Sequence, residues 1–151
     1  MSKQYSRGPH PLSIFSLLPI NNHARKVLED PINAQAHLVS THSNGIDHLD
    51  IGHFNSISGY TNLANPGRGM DSDIHMNSKY ISVSQCSFEI DPQSKVITLW
   101  DRSREETTRV TGTDATKFDP SPNRRVIVEP DSDIMITMGS EESMRVRFWF
   151  M

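Results

Sequence analysis

The sequence predicts an all-β sandwich with a short N-terminal helix, and three observations lead to this prediction. Short runs of β-branched and aromatic residues recur along the second half of the 151-residue chain, with turn residues between them. The C-terminal run 144–150 alternates apolar side chains with Arg145 and Arg147, as a half-buried strand does. Asp91 and Pro92 begin a turn between two such runs and predict a hairpin, because proline suits the second position of a turn. Many short strands joined by turns are typical of a sandwich.

The N-terminal part of the domain is predicted to form a strand followed by a helix. The run 13–18 is a candidate strand that Pro19 stops, and Asn22 can cap the N-terminus of a helix with its side-chain oxygen. Three apolar side chains at positions 24, 27 and 28 share one face of that helix. Pro31 is expected to end it, since proline disfavours the helical conformation in the residue before it.

The remaining elements are predicted from local patterns alone. Weaker apolar patterns indicate strands within 36–39 and 46–54, and the stretch 55–69, rich in Asn, Ser, Gly and Pro, indicates a loop. The methionines, together with Trp100 and Trp149, are expected to fill the core. Further strands are predicted at 87–90, 96–100, 107–111, 125–128, 133–138 and 144–150.

Length and composition fit one domain with a modest core. Hydrophobic residues make up 35% of the chain, which leaves many positions at the surface. Residues 1–11 contain Gly8, Pro9 and Pro11 without a periodic pattern and are predicted to be a flexible tail. Residues 12–151 are then a single domain, best supported over 67–150.

The charge and the cysteine count exclude several classes of protein. The formal net charge of -3 gives neither the basic field that nucleic acid requires nor a polybasic membrane surface, so neither partner is expected. No stretch approaches the ~18 apolar residues of a membrane span. Cys86 is the one cysteine, so an internal disulfide framework is impossible, and a reducing compartment, cytoplasm or nucleus, is expected.

Five pieces of sequence occur in the order found in forkhead-associated (FHA) domains. They are Gly67-Arg68, Asp73-Ile74, the segment ISVSQC at 81–86, the segment 101–107, and the late strand with its glycine at 133–139. The run QCSFEIDP at 85–92 is similar to the FHA modules at the N-termini of many filamentous-fungal protein kinases. The chain therefore resembles a divergent FHA domain. Because it has no kinase motifs and ends at Met151, it is expected to be a domain without its partner domain, or a truncated gene product.

The resemblance implies an FHA-like β-sandwich with Greek-key-type antiparallel sheets, whose loops at one end bind a phosphothreonine peptide. By position in the motifs, it implies Arg68 and Ser82 as the phosphate ligands, with Arg104, Glu105 and Thr107 as further peptide-binding residues. The implied function is a phosphothreonine-dependent protein–protein interaction module. It would not be an enzyme, and it would need no cofactor and no metal. The expected partner is a phosphothreonine-containing protein segment, of a kinase or of its substrate.

Three residues depart from the family pattern at the implied phosphate site. Val83 stands where Arg, Lys or Asn is usual, and Glu105 and Glu106 stand where Asn and Gly are usual. A carboxylate ~4 Å from a phosphate repels it by about 1 kcal/mol in water, and by more in a partly dry site. Weakened phosphate binding is therefore predicted, with Arg104 as a replacement donor.

Two other functions stay open at the level of the sequence. In one, the FHA-like domain binds a partner through a sheet face without recognising phosphate. In the other, His37, His42, His48 and His53 belong to a metal-dependent hydrolase. One cysteine cannot supply the paired ligands that zinc sites usually show, so no metal is predicted. The sequence leaves the preferred peptide and the oligomeric state undetermined.

Overall fold

Two antiparallel β-sheets pack face to face, and this sandwich confirms the predicted all-β fold. The structure is a computed structural model and describes residues 13–35, 39–41, 45–52 and 61–151. The helices are α1 (Asn22–Glu29) and α2 (Pro31–Gln35), with a 3-10 helix at Glu142–Met144. The strands are β1 (Ser13–Pro19), β2 (Val39–Thr41), β3 (Asp47–Gly52), β4 (Asn62–Ala64), β5 (Pro66–Gly67), β6 (Ile74–His75), β7 (Cys86–Ile90), β8 (Ile97–Asp101), β9 (Thr108–Thr111), β10 (Arg125–Val128), β11 (Ile134–Met138) and β12 (Val146–Phe150).

The strand order brings the two ends of the domain together in one sheet. The six-stranded sheet has the order β2-β3-β1-β12-β11-β9, and the four-stranded sheet has the order β10-β8-β7-β4. The chain crosses between the sheets from β3 to β4 and again from β8 to β9, from β9 to β10 and from β10 to β11. Strands β5 and β6 pair with each other in parallel, which departs from the predicted antiparallel pattern. This small pair lies between β4 and β7 along the chain and holds the loop that follows Gly67.

Three phenylalanines join the sheets at the centre of the core. Phe15 of β1 lies with its ring centroid 5.0 Å from that of Phe88 in β7 and 4.6 Å from that of Phe150 in β12. All three side chains are buried. Aromatic pairs at this spacing stabilise a core by ~0.5–1.5 kcal/mol beyond the burial of their surface. The cluster therefore fixes β7, and the loops at its ends, against the six-stranded sheet.

The N-terminal helix forms as predicted, but its cap lies one residue earlier. Asn21, not Asn22, has the extended backbone of a cap, and its Oδ1 accepts a hydrogen bond of 3.0 Å from the Ala24 N–H. The apolar face packs into the core. Pro31 ends α1 as predicted and also begins α2, because its fixed φ suits the first helical position. The Asp30 carboxylate caps this second helix by accepting from the Ile32 N–H at 3.0 Å.

Two predictions from local composition were wrong. The part of the predicted loop 55–69 that the structure describes contains β4 and β5, since Leu63 is buried and Ala64 pairs with Phe88 despite their polar neighbours. Met70, Met151, Trp100 and Trp149 are not core residues. Met151 is 39% exposed, and Trp149 is only half-buried because it alternates with the buried side chains of β12. Met70 is 88% exposed in a loop, and Trp100 points outward because the buried side chains of β8 alternate with it.

The other boundaries agree with the sequence to within one or two residues. The hairpin β7–β8 has its turn at the predicted position, and β10 coincides with the predicted strand 125–128. The predicted tail 1–11, positions 36–38 of one strand, positions 53–54 of another and positions 55–60 of the loop lie outside the described residues. Within the described ranges, no helix has the length and apolar character needed to cross a membrane.

Candidate functional site

Three loops meet at one end of the sandwich and bring the predicted site residues together. They are the 68–73 loop between β5 and β6, the 81–85 loop before β7, and the 102–107 loop between β8 and β9. Backbone hydrogen bonds join the first two, from the Arg68 N–H to the Ser82 carbonyl at 3.0 Å. The third is joined to the second by the Arg102 N–H, which donates to the Gln85 carbonyl at 3.0 Å.

Arg68 is held at its base and free at its tip. Its side chain is exposed, and its Nε donates to the Ile81 carbonyl at 2.9 Å. Neither terminal guanidinium nitrogen has a partner among the described residues. The preceding residue is Gly67, and its missing side chain lets the backbone before Arg68 lie close to the 81–85 loop. A Cβ at this position would lie 2.3 Å from the Val83 carbonyl oxygen. The arginine is thus oriented by the protein, and both terminal nitrogens are left to donate to a ligand.

The Ser82 hydroxyl lies beside the 102–107 loop. Its Oγ accepts a hydrogen bond of 3.2 Å from the Arg104 N–H, and its own hydrogen has no acceptor in the part of the chain that is described. The Arg104 side chain is exposed and likewise has no described partner. Ser82 and Arg104 therefore each offer a donor at the same surface as Arg68.

Gln85 and Thr107 lie behind this surface and support it. The fully buried Gln85 accepts from the Ser82 N–H at 3.0 Å and donates to the hydroxyls of Thr107 and Thr108 at 3.1 and 2.8 Å. Thr107 is only 8% exposed. Asp101 and Ser103 shape the turn: Asp101 Oδ1 accepts from the Ser103 N–H at 3.1 Å, and the Ser103 Oγ accepts from the Thr107 N–H at 2.7 Å.

The two glutamates that replace the usual Asn and Gly behave differently. Glu106 has a left-handed backbone with a φ of 58°, the conformation that favours glycine at this place. Its carboxylate is held to one side by Arg124 at 3.4 Å and by the Ser121 hydroxyl at 2.8 Å. Glu105 is exposed and makes no ion pair or hydrogen bond with any described residue. Of the two, Glu105 is the carboxylate without a counter-ion beside the loops.

Comparison with solved structures finds a similar chain, the N-terminal FHA domain from S. cerevisiae Rad53p, in an X-ray structure with a phosphothreonine peptide. The two chains are 18% identical and superpose with a TM-score of 0.46, over 62% of this chain and 71% of that one. No family model and no curated protein matches the sequence. The solved chain is a domain of the family that the sequence resembles.

The sequence did not reveal that the helical segment supports the site. Asn33 of α2 is fully buried, and its amide donates to the Val27 carbonyl at 2.7 Å and to the His75 carbonyl at 2.8 Å. Its Oδ1 accepts from the His75 N–H at 2.8 Å. The Asp30 carboxylate lies 3.0 Å from the His75 ring. Because His75 pairs with Gly67, these contacts fix the strand that leads directly into Arg68.

A half-buried carboxylate holds the other end of the 68–73 loop. Asp73 Oδ2 accepts from the backbone N–H and the side-chain amide of Asn65, both at 2.9 Å. Burial raises the pKa of Asp73, while the hydrogen bonds from Asn65 act in the opposite direction. Hydrogen bonds therefore hold the 68–73 loop at both of its ends.

Two further candidates for chemistry, Cys86 and His48, are described by the structure, and both are buried. The Cys86 thiol is buried, and burial together with the nearby Asp101 charge raises its pKa, which disfavours the nucleophilic thiolate. His48 is buried with its Nδ1 2.8 Å from the Ile46 carbonyl. The other histidines of the alternative hydrolase hypothesis, His37, His42 and His53, lie outside the described residues. Among the residues that are described, no group of three or more His, Cys, Asp or Glu could hold a metal ion.

Proposed function

We propose that this chain is a phosphothreonine-dependent protein–protein interaction module. The supporting observation is the Arg68 guanidinium, anchored through Nε to the 81–85 loop with both terminal nitrogens unpaired in the described structure. The Ser82 hydroxyl and the exposed Arg104 lie on loops bonded to it. Cations and neutral donors converge here on an open surface, which suits an anionic group on a protein segment rather than a small molecule in an enclosed cavity.

A phosphothreonine matches these donors in charge and in number. It carries about −1.5 to −2 charges and three acceptor oxygens. The planar fork of Arg68 can donate two parallel hydrogen bonds, and Ser82 adds a neutral donor. Arg104 supplies a second positive charge. Thr107 contributes from behind, by holding Gln85 and with it the backbone of Ser82.

Binding should be weak. Val83 is 57% exposed and offers no donor where the family usually has one, and the unpaired Glu105 repels the phosphate. The partner is a phosphothreonine segment of a kinase or of a kinase substrate, in the cytoplasm or the nucleus. The module itself performs no catalysis in this proposal.

Removal of the Arg68 side chain tests the proposal. Arg68→Ala should weaken binding of a phosphothreonine peptide by about tenfold to a hundredfold, because hydrogen bonds to charged groups contribute ~1.5–3 kcal/mol. Isothermal titration calorimetry with phosphorylated and unphosphorylated forms of a peptide pool measures this directly. Arg68→Lys keeps the charge but loses the fork, and should fall between Arg68→Ala and the native protein.

Lys117→Ala is the matched control, since Lys117 is an exposed cation in the loop before β10 and the substitution removes the same unit of charge. It should leave the affinity nearly unchanged. Phosphate-dependent binding that survives Arg68→Ala at full strength would exclude Arg68 as the phosphate ligand. Equal loss in both variants would show a general charge effect instead of a site.

The outer face of the four-stranded sheet favours a second candidate function, phosphate-independent docking of a partner. Trp100 is half-exposed there, with the guanidinium groups of Arg102 and Arg125 at 4.7 and 5.0 Å from its ring. Ile127 beside it is 55% exposed. If this face carries the function, Trp100→Ala should reduce partner capture at least about tenfold, the loss typical of a buried aromatic anchor. Capture would then be equal for phosphorylated and unphosphorylated partner.

A further inference from the structure

The charges around the three loops are mixed in a way that phosphate binding alone does not explain. Arg68 and Arg104 are free to meet an anion, but Glu105 lies immediately after Arg104 and is also free. Consecutive Cα atoms are about 3.8 Å apart, so Glu105 lies next to Arg104, the residue whose N–H bonds to the Ser82 hydroxyl. A phosphate bound to these donors therefore lies near an uncompensated negative charge.

We propose that Glu105 is a specificity-determining residue that selects phosphothreonine segments with a Lys or Arg close to the phosphate. This inference rests on the proposed function. A basic side chain in the ligand would pair with Glu105 and with the edge of the phosphate, and it would convert a repulsion into an attraction. A segment with acidic neighbours would add its own charge to the repulsion. The site thus complements a ligand that carries both an anion and a cation.

Among the described residues, no arginine forms an ion pair with Glu105. Arg102 is directed to the sheet face, where it donates to Ser87 at 3.0 Å and to Glu89 at 3.2 Å. Arg124 already pairs with Asp101 at 2.9 Å and with Glu106. Any ion pair between Arg104 and Glu105 would remove a donor from the phosphate. A basic side chain of the ligand can supply the counter-ion without removing a donor from the phosphate.

Glu106 does not share this role, although it follows Glu105 in the chain. Its carboxylate is engaged by the Ser121 hydroxyl and by Arg124, a cation that it shares with Asp101. Two adjacent glutamates therefore have separate tasks: one stabilises the loop and the other faces the solvent. Of the two carboxylates, only that of Glu105 has no partner among the described residues.

Charge-swapped peptides test the inference. The probes are short phosphothreonine peptides on a neutral background, with a pair of Lys, Ala or Glu residues placed either before or after the phosphothreonine. For the native protein, the best Lys peptide should bind about three- to fivefold more tightly than its Ala counterpart, as expected for an exposed ion pair. Glu105→Lys should reverse the order and favour the Glu peptide by a similar factor. Both preferences should shrink as salt is raised.

The readout is the ratio of the Lys-peptide and Glu-peptide affinities, which cancels any general effect of the substitution on phosphate binding. Glu129→Lys is the control, because Glu129 is exposed in the turn after β10, at the opposite end of the strands. It makes the same change in net charge and should leave the ratio unchanged. If binding depends on phosphate but the ratio is the same in the native protein and in Glu105→Lys, the inference is overturned and the proposed function stays intact. Failure of every phosphopeptide, with equal signals from unphosphorylated controls, would overturn the proposed function itself.

Discussion

Asn33→Asp is expected to lower the free energy of unfolding by about 3–5 kcal/mol at pH 7, the usual cost of an uncompensated buried charge. The substitution keeps the size of the side chain and the oxygen that accepts from the His75 N–H. It replaces the amide nitrogen with an oxygen that faces the carbonyls of Val27 and His75 at 2.7 and 2.8 Å. Two hydrogen bonds become two repulsions in a site without water access. The melting temperature should fall by roughly 10 °C.

The pH dependence of this variant distinguishes charge from packing. Burial beside carbonyl oxygens raises the pKa of the new carboxyl above its unfolded value of about 3.9. The folded state then favours the neutral acid, which can donate to one carbonyl, so the deficit should be smallest near or below about pH 4 and should grow as pH rises. Chemical denaturation of the native protein and the variant at both pH values measures this.

Asn22→Asp is the matched control for Asn33→Asp. Asn22 is the exposed first residue of α1, and its side chain contacts only the exposed Arg25 among the described residues. A negative charge there is favourable at a helix N-terminus, so stability should change by less than about 0.5 kcal/mol. Equal destabilisation by the two substitutions would show that Asn33 does not join the helices to β6.

The two asparagines also show what the sequence could and could not predict. The spacing of three apolar residues predicted α1, and the asparagine before them predicted its cap to within one residue. This was possible because capping is a local interaction. The role of Asn33 is set by a strand 42 residues away in the chain, and no local pattern encodes that pairing. The loops that carry Arg68 and Ser82 were predictable, because each lies on a contiguous motif. Their support from the helical segment was not.

The wrong predictions for the 55–69 loop and for the core also have physical causes. Composition did not predict β4, because its apolar run contains only Leu63 and Ala64 and is flanked by polar residues. Trp100 was expected in the core for its apolar surface, yet the alternation of β8 places Ile97 and Leu99 inward and Trp100 outward. Strict use of the two-residue period would have corrected that prediction. In the 102–107 loop, Arg124 pairs with Glu106, and Glu105 has no described partner. No local sequence pattern indicates that contact.

Gln85→Leu should lower stability by about 2–3 kcal/mol and weaken phosphopeptide binding by at least about tenfold. The leucine fills the buried space but leaves the Ser82 N–H without its acceptor and the Thr107 and Thr108 hydroxyls without their donor. The loss of the acceptor for the Ser82 N–H should reduce binding, because Ser82 joins two of the loops. Its carbonyl accepts from the Arg68 N–H, and its hydroxyl accepts from the Arg104 N–H. Stability comes from urea unfolding, and affinity is measured at a temperature where both proteins are fully folded.

A double-mutant cycle with Thr107→Val separates a specific polar network from general damage to the core. Thr107→Val alone removes one hydroxyl and should cost about 1 kcal/mol, since Gln85 keeps its bond to Thr108. When Gln85 is already Leu, the same change removes a buried hydroxyl that has lost its donor, and should cost little or even stabilise. The double variant should therefore be more stable than the sum of the single effects by about 1 kcal/mol. Simple additivity would mean that the side chains of Gln85 and Thr107 do not interact, and that another contact holds the 81–85 loop in place for the ligand.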